Sequence, residues 1–249
     1  MKRASIVLVT ISVVMIVIGG VLSIVALAQG ARYYGAFHIS MREMVTREYS
    51  NFEPIKDINV DVDVATLKVI VGDEFKVIIN SNTNQSFKVG VTNQRLDIIE
   101  NSSNRWGIFN IGLGGYKTTI DLYIPRNYQL DDVTIESNAS NIDIDQLIAE
   151  SVSLEANVGK ITVDEIKTES LSVEVNAGKV DVEGVVDGNI NVNCNVGSVY
   201  LNLTGDEADY QVSGSVDVGN FKFNNNSHGG VLNSDFNFGN GKYKIDVDC

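Results

Sequence analysis

Between residues 133 and 201 apolar side chains occupy alternate positions in short runs, each run broken by an Asn-centred step and then resumed. Four segments coincide when written under one another: Val133-Thr-Ile-Glu-Ser-Asn138-Ala-Ser-Asn-Ile142, Val152-Ser-Leu-Glu-Ala-Asn157-Val-Gly-Lys-Ile161, Leu171-Ser-Val-Glu-Val-Asn176-Ala-Gly-Lys-Val180 and Ile190-Asn-Val-Asn-Cys-Asn195-Val-Gly-Ser-Val199. Asn138, Asn157, Asn176 and Asn195 recur every 19 residues; Gly159, Gly178 and Gly197 keep the same step, with Ser140 in the first copy. A period of two predicts strands, so each copy reads as two short strands joined at a corner that Asn and Gly accommodate. No copy can bury its apolar face alone, so the copies must stack, about 4.8 Å apart.

Stacking predicts four inward columns: Val133/Val152/Leu171/Ile190, Ile135/Leu154/Val173/Val192, Ile142/Ile161/Val180/Val199 and Ile144/Val163/Val182/Leu201. Cys194 falls in register with Ser137, Ala156 and Val175 and reads as a small buried hydrophobe. The Asn column can form a side-chain amide ladder. Upstream, Ile58–Val64, Leu67–Val71, Phe75–Ile79 and Thr118–Ile124 alternate in the same way; downstream, Val212, Val216, Val218, Phe221–Phe223 and Phe236–Phe238 continue the sheet into a cap. The fold class expected for residues 57–249 is an all-β solenoid.

The chain opens on a different pattern. From Ala4 to Gly30 no side chain ionises, and the 23 residues Ile6–Ala28 span about 34 Å as a helix, enough to cross a bilayer. In lipid the backbone must satisfy itself internally, so helix overrides the β-branched composition. Lys2 and Arg3 favour a cytoplasmic N-terminus. Residues 1–30 are therefore expected to be an uncleaved signal anchor, because a cleaved signal has a shorter apolar run. The alternative is cleavage after Ala28, which would release the protein. Both place the remainder outside the cytoplasm. Residues 31–56 read as a juxtamembrane stalk, in which Phe37, Met41, Met44 and Val45 have the spacing of a short helix.

Charge sharpens this division. The net charge of −13 splits into +2 for residues 1–30, 0 for 31–130 and −15 for 131–249. An acidic chain without a basic cluster excludes nucleic acid as a partner. Two Cys and two His cannot close a zinc site without carboxylates, and no cofactor is expected.

An apolar N-terminal segment, Ile58-x-Val-x-Val, Val69-x-Val71-Gly72-Asp73, Arg95-Leu-Asp-Ile-Ile99, Ile120-Asp-Leu-Tyr-Ile-Pro125, the Asn-x-Gly rungs and Gly239-Asn-Gly-Lys-Tyr-Lys-Ile245 follow one another in order. Over residues 55–249 this resembles the bacterial "putative adhesin" domain, a domain of unknown function in cell-envelope proteins. The resemblance implies a single-stranded, right-handed β-helix-like solenoid, an envelope location, no known catalytic residues and, weakly, adhesion. Ser140 departs from the rung pattern and puts the first corner in doubt.

Outward positions carry the candidate chemistry. Glu136, Glu155 and Glu174 align, as do Asp145, Asp164 and Glu183. These acidic columns could bind a divalent cation through oxygen ligands or meet a basic partner; a merely solvated face is the stronger expectation. Their periodicity argues for architecture over a catalytic carboxylate pair. Residues 101–117 hold Trp106, Phe109 and Tyr116 in a Gly-rich stretch, residue types that anchor partner contacts; capping the solenoid core is the competing reading. The leading expectation is a non-catalytic, adhesin-like surface binding or scaffold module contacting cell-wall, host or membrane-protein partners. An envelope-stress regulatory accessory acting on a membrane sensor is second, and a solenoid polysaccharide hydrolase or lyase a distant third.

Overall fold

A computed structural model describes residues 43–82, 85–101, 118–216, 218–224, 226–230 and 235–248. The segment predicted as a signal anchor (1–30) and the first part of the stalk (31–42) lie outside these residues. β1 (Met44–Tyr49), β2 (Asp57–Gly72), β3 (Lys76–Asn82), β4 (Ser86–Thr92), β5 (Arg95–Asn101) and β6 (Thr119–Pro125) precede two long strands, β7 (Leu130–Ile144) and β8 (Leu147–Leu203). A 3-10 turn at Glu207–Asp209 leads to β9 (Tyr210–Ser215), β10 (Gly219–Phe223), β11 (Asn226–Gly230), β12 (Phe236–Phe238) and β13 (Tyr243–Asp248). All of these strands belong to one 13-stranded sheet.

Register fixes the architecture. β2 lies parallel on β7, with Ile58 beside Val133 and Leu67 beside Ile142. β7 lies parallel on β8, with Val133 beside Val152 and Ile142 beside Ile161. The second offset is the 19-residue period, so the rungs stack as a solenoid. β8 runs through 57 residues without a break; the corners that were expected to divide each copy into two strands bend the backbone while pairing continues.

Every residue in the four predicted inward columns is at most 2% exposed, and Cys194 is fully buried. Each such Val, Leu or Ile contributes roughly 1.5–3 kcal/mol of burial. Both ends are capped by insertions. At the first rung, β5 and β6 pair parallel with the two halves of β2. β4 closes antiparallel on β5, and β3 then β1 close antiparallel on β6. Residues 44–49, expected within a stalk at helical spacing, are thus a sheet strand. At the far end β13 is laid between β8 and β9, with Ile245 beside Ile190 on one side and Val212 on the other. The other half of the last rung carries β10. Aromatic rings close this end: Phe221 stacks on Phe236 at 5.2 Å, and the Tyr210 hydroxyl donates to the Val186 carbonyl at 2.6 Å.

The corner is where the rungs approach most closely. A methyl group at Gly178 would lie 1.9 Å from the carbonyl oxygen of Gly159, and one at Gly197 would lie 2.0 Å from that of Gly178. Gly159 also holds φ +148°, and its Cβ would lie 1.7 Å from the Ser140 carbonyl oxygen. Ser140 itself stacks on Ala65, so the first two corners take a Cβ and the departure from glycine leaves the stack intact. Gly178→Ala should therefore destabilise by about 1–3 kcal/mol through overpacking, whereas Ser140→Gly should change stability by no more than about 1 kcal/mol. Urea midpoints of the two variants test the contrast; equal midpoints would refute the close-approach account.

Candidate functional site

The amide ladder forms, and it has a direction. Asn195 Nδ2 donates to Asn176 Oδ1 at 2.5 Å, Asn176 to Asn157 at 2.6 Å, and Asn157 to Asn138 at 2.8 Å. Asn138 then donates to Oδ1 of Asp63 at 2.8 Å, so a row of aligned amide dipoles ends on a carboxylate. Asp63 in turn gives its backbone N–H to Glu100 Oε2 at 3.0 Å, and Glu100 Oε1 accepts from Gln85 at 3.1 Å. Gln85 Oε1 accepts from Thr118 at 2.9 Å. Burial is the main cause that raises the Glu100 pKa above 4.5, opposed by these hydrogen bonds. The ladder is thereby tied into the cap that β5 and β6 form.

The two acidic columns lie on different parts of the rung. Glu136 sits beside Asp61 on one side and Glu155 on the other, and Glu174 follows at the repeat. This column stands before the corner, on the side that β5 caps. Asp145, Asp164 and Glu183 stand after the corner, beyond the half-rung that β6 caps, and are exposed. The structure does not unite them in one acidic face. Burial, then Glu174 and Glu136, raise the Glu155 pKa above 4.5. Among the described residues no group of three or more His, Cys, Asp or Glu is arranged to hold a metal ion. Lys179 leans on Asp181 at 2.9 Å and over the Tyr200 ring at 4.7 Å. Trp106, Phe109 and Tyr116 lie outside the described residues.

Two surface features escaped sequence reasoning. The side that carries the glutamates also carries a small-polar column, Asn59, Thr134 and Ser153 in register. At the far end it continues through Asn191, Asp246 and Ser213 to Asn237. There a shallow groove of about 330 Å³ opens, lined by Asn191, Ser213, Ser215, Asp235, Asp246 and Asp248. Ser213 and Ser215 donate to Asp246 and Asp248 at 2.7 and 3.2 Å. No local signal announces this groove, because β13 reaches it from a distant part of the chain. The second feature is a row of outward apolar residues at the corners, legible in hindsight as the middle residue of each Asn-x-Gly step, where valine at 158 and 196 alternates with alanine at 139 and 177.

A family model, Toastrack DUF4097, matches residues 55–231. No curated protein matches the chain. Among solved structures, a "putative cell adhesion protein" from Clostridium sporogenes is 12% identical, covering 83% of this chain and 94% of its own, with a TM-score of 0.44. A "putative adhesin" from Bacteroides fragilis is 12% identical over 83% of this chain and 97% of its own, with a TM-score of 0.36. A "putative lipid binding protein" from Parabacteroides distasonis is 14% identical over 83% and 97%, with a TM-score of 0.30.

The glutamate column has a measurable sign. Because the folded-state pKa of Glu155 is raised, the native state binds the extra proton, and the stability it contributes is present below about pH 4.5 and lost as pH rises through the raised value. Glu155→Gln should stabilise the protein at pH 7 by about 0.5 kcal/mol, the size of a like-charge cross-strand pair. It should also flatten the decline in stability above pH 4.5. Thermal unfolding of both proteins across pH 4–7 checks this, and an unchanged slope would refute it.

Proposed function

The chain belongs to the Toastrack DUF4097 family, and from that premise we propose that it is a membrane-anchored, extracytoplasmic solenoid that acts as a non-catalytic, adhesin-like binding or scaffold module. In this reading residues 1–30 are an uncleaved transmembrane signal anchor, residues 31–42 are a short connection, and the β unit begins at Glu43. The rungs wind right-handed, the hand that a return to a parallel neighbouring strand takes.

The observation that carries the reading is the small-polar column. Asn59, Thr134 and Ser153 stand in strict register, so hydroxyl and amide groups repeat about every 4.8 Å along one side. A single small molecule has no use for such a repeat. An extended polymer with its own repeat, such as a cell-wall or matrix glycan, meets the same donors and acceptors at each step. The outward polar side chains stand on backbone held by the stacked core, so few degrees of freedom are lost on contact.

Two measurements test the proposal in the full chain. A cysteine at Val158→Cys, in a Cys249→Ser background, should react with a membrane-impermeant maleimide on intact cells; reaction only after lysis would overturn the extracytoplasmic placement. Cells displaying the protein should also bind cell-wall or matrix glycan, and Ser153→Lys together with Thr134→Lys should reduce retention about tenfold, the loss of roughly 1.4 kcal/mol. Retention unaffected by the lysines would overturn the assignment to this column.

A further inference from the structure

The corner of every rung points one side chain straight outward. In chain order these residues are Val64, Ala139, Val158, Ala177, Val196 and Val218, the last in register above Val196 through the pairing of Gly219 with Gly197. Val64, Val158, Val196 and Val218 are 58, 55, 51 and 46% exposed, and with Met44 they are the exposed large hydrophobics among the described residues. At about 4.8 Å per step the row is about 24 Å long. Its flanking columns are Asn138, Asn157, Asn176 and Asn195 on one side and Asn141, Lys160, Lys179 and Ser198 on the other. From Ala139 to Val196 these flanks hold no carboxylate, although the chain carries −13; Asp63, beside Val64, is the carboxylate on which the amide ladder ends.

The row alternates large and small, and the alternation has relief. Between Val64 and Val158, over Ala139, lies a dent of about 230 Å³ lined by Val64, Ala139, Ser140 and Val158. Ser140 is 7% exposed, and its buried hydroxyl has no partner among the described residues. We propose that this ridge is a self-association surface on which two copies pair antiparallel, about a two-fold axis passing between Val158 and Ala177. Reversing the order Val-Ala-Val-Ala-Val-Val against itself sets Val196 of one copy over Ala139 of the other, and Val158 over Ala177. Both relations recur by symmetry, as an isologous contact requires. The valine that enters the dent brings its own backbone towards the Ser140 hydroxyl. A parallel pairing would instead set valine on valine along the whole row, as the antiparallel one does only where Val64 meets Val218 at its ends, and would leave the dent empty.

The size of the strip sets the strength. It is of the order of the largest apolar patch on an ordinary monomer, about 300–600 Å², and below the roughly 800 Å² per partner of a stable complex. The pair is therefore weak in dilute solution and strengthens where chains share a high local concentration. Lys160 of one copy approaches Lys179 of the other across the axis, and both copies are acidic overall, so added salt tightens the pair.

Disulfide trapping of the full chain in a Cys249→Ser background reads the geometry. A mixture of Ala139→Cys and Val196→Cys chains should form a mixed dimer that neither variant forms alone. Val64→Cys alone should not cross-link, because its two copies stand about 24 Å apart in the pair. Homotypic cross-linking of Val64→Cys would replace the antiparallel pair with a parallel one, and no mixed dimer would overturn the proposal. Val158→Lys, at an exposed corner that leaves the core untouched, should keep the thermal midpoint and reduce the mixed dimer about tenfold. Retention of the dimer in Val158→Lys at an unchanged midpoint would overturn the proposal as well.

Discussion

A strand that pairs in parallel register with its own continuation must return to the same position after every turn, displaced by one strand spacing. At the third and later corners this requirement leaves no room for a side chain between rungs: the carbonyl oxygens of Gly159 and Gly178 occupy the space where a Cβ of the next rung would be. The glycine column and the amide ladder beside it answer the same geometry from two directions. Glycine permits the approach, and asparagine turns the approach into a hydrogen bond between rungs. The buried columns, the outward polar columns and the valine ridge all inherit their alignment from that one repeat distance.

The repeat was legible because 19 residues separate equivalent positions with no insertion, so each inward column could be written from the sequence and each is buried. The caps were less legible for a physical reason. β5 and β6 pair with β2 across long insertions, and β13 enters between β8 and β9, so their partners are set by which edges remain open rather than by a local pattern. Met44–Tyr49 alternates as a strand only because β3 offers it an edge; its apolar spacing alone fits a helix equally well. Val218 was expected simply to continue the sheet towards the cap, and its place beside Val196 at the corner leaves it exposed.

The surface follows the same division. Glu136, Glu155 and Glu174 looked like half of a single acidic face with Asp145, Asp164 and Glu183, yet the corner stands between the two columns. Between them, from Ala139 to Val196, the corner strip is free of carboxylates. A fold built from repetition thus presents two unlike surfaces along its length, one of regular polar groups on the strands and one of regular apolar ones at the corners.

The separations along the chain also bear on how the molecule comes together. Neighbouring rungs of the repeat join residues 19 apart, as Asn138 and Asn157 are. The first rung meets the second across 75 residues, as Asp63 and Asn138 do, and β13 meets the last rung across 55, as Lys244 and Asn189 do. Closing a longer loop costs more entropy before any contact rewards it. The central rungs are accordingly the natural nucleus, and folding spreads outward from them in both directions. The ends of the solenoid, which shield its core from solvent, are then the last parts to form and the first to open.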